Sequence, residues 1–274
     1  MIFGKKNSKI KDAEMSFLGH LEQLRVHIIR SVVASVVAAS VVFGFKNFFF
    51  DVVLLSPTKA QFVTYELFCS VSKFWGGEVF CMEEMPFRIV NLKMAGQFAM
   101  HLWVSLVGGV ILAFPYIVLQ IWLFVAPGLK PEERKYAGVL IGSSSILFFL
   151  GVLFGYFLIV PLTVQFLGTY QVSDSVANQI DLSSYISTVT SVLLACGVMF
   201  QLPVLVYVGS KLGLLTPEWM RKYRKHAFVV VLIVAAVITP PDVASQILVT
   251  IPVMILYEIS ILIASRISKR QTLR

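Results

Sequence analysis

Charge is scarce in this chain of 274 residues: 14% of its side chains are Asp, Glu, Lys or Arg, against roughly 25% in a water-soluble domain. Cysteine is nearly absent, with three residues, which excludes a disulfide-stapled secreted module. Strands alternating apolar and polar residues over roughly ten positions, the mark of a transmembrane β-barrel, are missing too. In their place stand long uncharged runs, such as the 24 residues from Leu102 to Val125. With 57% hydrophobic residues and a mean hydropathy of +0.83, disorder and coiled coil are also excluded. The composition predicts an all-α, polytopic membrane protein, with residues 1–274 as one membrane domain.

The formal net charge is +8, so the placement of the cations matters. Lys5, Lys6, Lys9, Lys11, Arg25 and Arg30 precede or enter the first apolar run. Lys130, Arg134 and Lys135 follow the second, and Lys211, Arg221, Lys222, Arg224 and Lys225 follow the fourth. Arg266, Lys269, Arg270 and Arg274 close the chain, while Val160 to Tyr185 has no Lys or Arg. Cations on alternate connections follow the positive-inside rule and put both termini in the cytoplasm. The same scatter argues against a nucleic-acid partner, which needs a clustered basic face.

The pattern predicts six transmembrane helices, the last two short. An interfacial helix within residues 1–25, with Phe17, Leu18, Leu21 and Leu24 on one face, leads into span 1 at 26–48. That span reads as a retained anchor, because no small-residue cleavage site follows it. An outside cap follows at 49–98, rich in aromatics such as Phe62, Tyr65, Phe74 and Trp75. Span 2 at 99–126 contains Pro115, span 3 lies at 137–160, and span 4 at 182–210 contains Pro203. Gly151 and Gly155 carry the spacing that lets two helices approach closely. Span 5 at 226–240 has 15 uncharged residues between His226 and Asp242, about 22 Å of helix, short of a hydrocarbon core of roughly 30 Å. Pro240 and Pro241 end it, and span 6 at 245–265 returns. Thr239, Asp242, Ser245 and Gln246 then form a polar tip below the outer surface, which requires a thinned bilayer or a polar partner.

Signs of catalysis are lacking. His20 and His27 have no Cys or carboxylate at ligand spacing on their face, so no metal or other cofactor is expected. Ser143, Ser144 and Ser145 lack the nucleophile elbow, and no nucleotide-binding fingerprint occurs. Cys69 and Cys81 share the outside cap and form a candidate disulfide, although two free thiols suit the sequence equally; Cys196 falls in span 4. Polar residues collect in two places. At the cytoplasmic side, Glu22, Gln23, Glu132 and Glu133 lie among cations, suited either to local pairs such as Glu22 with Arg25 or to docking a guanidinium ligand. Within the spans stand Gln201 and Glu258, which serve helix contacts or function. A secondary transporter with a solute site at these two residues is the competing reading, but the internal repeats such proteins usually show are missing.

The ordered motifs resemble the TatC family of the twin-arginine protein translocase over most of the chain. They are Phe17-Leu18-Gly19-His20-Leu21-Glu22-Gln23-Leu24-Arg25, Ser56-Pro57, Phe114-Pro115, and Gln120-Ile121-Trp122-Leu123-Phe124-Val125-Ala126-Pro127-Gly128-Leu129 leading to Glu132-Glu133-Arg134. Phe200-Gln201-Leu202-Pro203 and Thr239-Pro240-Pro241-Asp242-Val243-Ala244-Ser245-Gln246 follow. The resemblance implies a glove-shaped, non-enzymatic receptor in the cytoplasmic (inner) membrane. Such a receptor binds twin-arginine signal peptides of folded cargo proteins, works with TatA- and TatB-type single-span subunits, self-associates, and draws on the proton-motive force.

It also implies roles for residues. In the family a glutamate before span 1 and another in the first cytoplasmic loop receive the paired arginines. The second matches Glu133, but the first falls on Gln23, one residue after Glu22. Adjacent helical residues point about 100° apart, so Glu22 does not replace it without rotating the helix. Arg25, Phe124 and Arg134 complete the expected signal-peptide surface. Gln201, where many members carry a buried glutamate, joins Thr239, Asp242 and Gln246 as the expected contact for a partner's helix. Pro57, Pro115, Pro203, Pro240 and Pro241 are expected to be structural.

Overall fold

A computed structural model describes residues 17–74, 87–126, 137–173, 178–238 and 243–272. Helix α1, Phe17–Gly44, runs unbroken through residues 25 and 26, where the sequence reading separates an interfacial helix from span 1. Nothing there breaks a helix, and the Ser31 and Ser35 hydroxyls donate back to the carbonyls of His27 and Ser31. Span 1 ends at Gly44, four residues before the expected boundary, and the chain then tightens through a π-helical turn, Phe48–Leu54, and a 3-10 turn, Ser56–Thr58. Pro57 opens that last turn, where a missing N–H costs nothing.

The cap holds α2, Val63–Phe74, and strand β1, Arg88–Val90. Strand β1 pairs in parallel with β2, Gln179–Asp181, with Ile89 opposite Ile180. These two three-residue strands are a small addition to an otherwise helical fold. Segments outside any helix still carry backbone donors and acceptors, and pairing satisfies them.

Helix α3, Gly96–Val125, contains Pro115 and stacks Phe114 on Phe148 with ring centroids 3.5 Å apart. Phe148 belongs to α4, Ala137–Phe154, which continues through a π-helical turn, Gly155–Ile159, into α5, Val160–Thr169. Span 3 is thus nine residues longer than expected, because Pro161 falls in the first turn of α5, where the π turn already interrupts the regular ladder. Span 4 is divided into α6, Leu182–Met199, and α7, Leu202–Lys211. Pro203 lacks the N–H that would bond the Met199 carbonyl, so the helix breaks before it.

A short α8, Pro217–Lys222, capped by the Thr216 hydroxyl, leads to α9, Arg224–Ile238, and α10, Val243–Thr272. The 15 residues of α9 match the short span 5. Helix α10 has 30 residues, about 45 Å, and runs past the expected end of span 6, because no breaker after Pro252 stops the helix at the end of its apolar stretch. Five segments are long and apolar enough to cross a membrane, at 21–44, 96–125, 138–169, 182–211 and 246–269.

Half of the apolar window across α6 and α7 is buried, against 11% for α1, so span 4 is the centre and span 1 the edge. Ile159, Val160, Ile186, Val189, Val192, Val249 and Val253 form the core around it. The glycine pair of α4 makes the close approach expected of it. A Cβ at Gly151 would lie 2.5 Å from the Cys196 carbonyl oxygen, and one at Gly155 3.2 Å from the Cys196 Cβ.

Candidate functional site

Helices α1 and α3 pack as an antiparallel pair. His101 Nε2 lies 3.1 Å from the Phe43 carbonyl, Gly109 faces Ser35 and Ala39, and Gln120 faces His27, so numbers rise on one helix as they fall on the other. A Cβ at Gly109 would sit 2.6 Å from both the Ala39 nitrogen and the Ser35 carbonyl oxygen, which means that the two backbones touch there.

This close packing carries a polar pair into the end of the hairpin where α1 begins and α3 stops. His27 Nδ1 lies 2.7 Å from Gln120 Oε1, and Gln120 is only 4% exposed. The His27 ring meets Phe124 edge-on, with centroids 6.3 Å apart. Gln23 is one turn before His27 on α1, and Phe124 one turn after Gln120 on α3. Helical spacing of four therefore gives two successive levels, His27 with Gln120 and then Gln23 with Phe124 toward the end of α3. Gln23, Glu22 and Arg25 are exposed. The expected Glu22–Arg25 ion pair does not form, as befits an exposed pair worth little against side-chain entropy. Glu132, Glu133 and Arg134 lie outside the described residues.

His27 is the residue that sequence reasoning missed, having weighed it only as a metal ligand. Two i, i+4 pairs, Gln23 with His27 and Gln120 with Phe124, were the available signal. Among the described residues, no group of three or more His, Cys, Asp or Glu gathers to hold a metal ion.

The polar residues of the spans do not converge. The Ser144 hydroxyl donates to Gln201 Oε1 at 2.5 Å, and Gln201 Nε2 donates to the Ser144 carbonyl at 3.1 Å. Gln201 stands at the break between α6 and α7 and locks it to α4. Gln246 Nε2 donates to the Leu232 carbonyl of α9 at 3.0 Å. Glu258 accepts from Arg224 at 2.7 Å, with the two side chains 45% and 50% exposed. Of the two roles expected for Glu258, the structure shows the helix contact: the carboxylate ties α10 to the first residue of α9. The solute site imagined at Gln201 and Glu258 is not assembled, since each is bound to a different helix. Thr239, Pro240, Pro241 and Asp242 lie outside the described residues.

At the opposite end several polar groups are closed on backbone carbonyls, although Gln165 Oε1 in α5 is buried without a hydrogen-bond partner among the described residues. The Tyr65 hydroxyl donates to the carbonyls of Pro57 at 3.0 Å and Pro161 at 2.9 Å, and Tyr156 donates to Val53 at 2.8 Å. Tyr185 bonds the Leu54 carbonyl, and Thr64 the Phe157 carbonyl. Burial pushes the Tyr65 phenol well above the ordinary tyrosine range. Pro57 is buried, Pro115 lies within α3, and Pro203 is buried in the first turn of α7. Cys69 on α2 is disulfide-bonded, and Cys81, its candidate partner, lies outside the described residues. Asp181 caps α6 by accepting from the Ser183 N–H, and its bond with the Ser183 hydroxyl holds the carboxyl below the usual range. Beside it, Thr163, Leu167, Gln179, Tyr185 and Thr188 line a cleft of about 350 Å³.

Residues 19–252 match the profile of the family described as Sec-independent protein translocase protein (TatC). A protein of that name from Blattabacterium is 41% identical over 260 residues, covering 94% of this chain and 98% of the relative. One from Carboxydothermus hydrogenoformans is 35% identical over 263 residues, covering 96% and 98%. Two solved structures, both described as the twin-arginine translocase receptor TatC, are 30% identical to this chain. One has a TM-score of 0.66 and covers 91% of this chain and 99% of the other; the second, in DDM, has a TM-score of 0.71 and covers 89% and 99%.

Proposed function

The chain belongs to the TatC family of Sec-independent protein translocase proteins, and on that premise we propose that it is the receptor subunit for twin-arginine signal peptides. In this role it moves folded proteins and catalyses no reaction. Its six spans, α9 included, lie in the cytoplasmic (inner) membrane with both termini inside. Glu133 and Gln23 receive the arginine pair, with Glu22, Arg25, Phe124 and Arg134 around them. Thr239, Asp242, Gln246 and Gln201 form the contact for the helix of a TatA- or TatB-type subunit at the shallow end of α9. Receptor copies self-associate, and the proton-motive force drives transport.

The observation that carries this reading is the hairpin end itself, where Gln23, His27, Gln120 and Phe124 come together on two helices. It sets hydrogen-bonding groups beside an aromatic ring on an otherwise apolar pair of helices, in a chain that matches the receptor structures over most of its length. Arginine is suited to it, because a planar guanidinium both donates several hydrogen bonds and stacks on aromatic rings. Loss of export of a twin-arginine cargo in Glu133→Ala, at normal membrane levels of the protein, is the expected result. Unchanged export would remove Glu133 from the account.

A further inference from the structure

We propose that Nε2 of His27 is an additional hydrogen-bond acceptor for the peptide's guanidinium groups, so that recognition weakens when this ring takes up a proton. The inference rests on the peptide-binding reading above and adds a residue and a pH dependence to it.

The bond between His27 and Gln120 fixes which ring nitrogen carries the hydrogen. An amide oxygen only accepts, so the hydrogen in the 2.7 Å contact belongs to His27 Nδ1. In the neutral ring the other nitrogen then carries a lone pair. That nitrogen has no hydrogen-bond partner among the described residues, and the ring is half-buried against Phe124, one turn inward from Gln23. A guanidinium has five N–H donors and no acceptor, so its recognition depends on the acceptors around it. Gln23 supplies a neutral amide oxygen at this end of α1, which makes a second neutral acceptor close by more consequential than it would be beside a carboxylate.

Protonation reverses the contribution. The imidazolium has two N–H donors and no lone pair, and on its own helix its charge would join Arg25 and Arg30, with Glu22 the acidic residue of that helix. Helix α3, packed against it, brings no Asp, Glu, Lys or Arg; its titratable side chains are Tyr116 and His101, and His101 lies at the far end against Phe43. Histidine ordinarily changes charge between pH 5 and 8, whereas free carboxylates titrate near 4 and arginine stays charged throughout. His20, two turns away on the same helix, shares that window, so the part of the pH dependence that is lost when His27 is replaced is the part that reports on the ring.

The test measures the Kd of a synthetic peptide with adjacent arginines on the purified full chain in detergent, at about pH 8 and about pH 5.5. The wild-type protein is expected to bind about tenfold more weakly at the lower pH. His27→Gln, whose amide reaches the position of Nε2 without titrating, should bind like the wild type at the higher pH and lose the pH dependence. His27→Asn, which keeps a donor for Gln120 but has nothing at Nε2, should bind weakly at both. A flat wild-type profile, or the same slope in both variants, would overturn the role of His27 while leaving the receptor reading standing. Failure to prefer an arginine pair at any pH would overturn both.

Discussion

The two ends of the molecule treat their polar groups in opposite ways. At the end that carries α2 and the two strands, Tyr65, Tyr156, Tyr185 and Thr64 are each spent on backbone carbonyls left over by the π-helical and 3-10 turns around Pro57 and Gly155. At the end where α1 begins and α3 stops, the His27–Gln120 pair is closed between the two helices, while Gln23, Glu22 and Arg25 are exposed side chains. Buried polar groups without partners are costly, so the closed end fastens the spans to one another and the open end is left to meet a ligand.

This contrast can be broken from the closed end first. Tyr185 is 4% exposed, and truncating a buried aromatic costs roughly 3–5 kcal/mol. Tyr185→Ala should therefore lower the thermal stability of the detergent-solubilised protein more than any change at the open end. Peptide affinity per folded molecule should stay the same. An intermediate effect is expected where both functions meet. At Gly109→Val, a branched side chain would press on the α1 backbone, and overpacking of this kind costs about 1–3 kcal/mol. Because it spreads the hairpin that holds His27 against Gln120, peptide binding should weaken along with stability, measured by titration and thermal unfolding of the same sample. The smallest effect belongs to Arg224→Ala. The pair with Glu258 is about half exposed, and such bridges are worth under about 1 kcal/mol, so melting and peptide binding should both stay close to the wild type.

Long-range order decides how much of this was legible in the sequence. The uncharged runs marked the long apolar helices, and Pro203 was visible inside span 4, although the division of that helix before it was not anticipated. Each of these is a local property of composition or of one ring. The pairing of Arg88–Val90 with Gln179–Asp181 was not legible, because three-residue strands carry no periodic pattern and the partners are far apart in the chain. Neither was the contact of His27 with Gln120, which spans 93 residues. Glu258 misled for a related reason: an apolar window shows the carboxylate, but only the length of the neighbouring helix brings Arg224 beside it. Of the site, the types of residue at Gln23 and Phe124 were visible from the motifs, whereas the deeper level beneath them required the hairpin's register.

The most direct test of the open end as a receptor surface compares binding of a peptide containing an Arg-Arg pair with the same peptide containing Lys-Lys. Lysine keeps the charge and loses the planar fork. The account predicts a preference for arginine of about tenfold or more, equivalent to about 1.4 kcal/mol, that collapses in Glu133→Gln. Equal binding of the two peptides, or a preference untouched by that substitution, would contradict it.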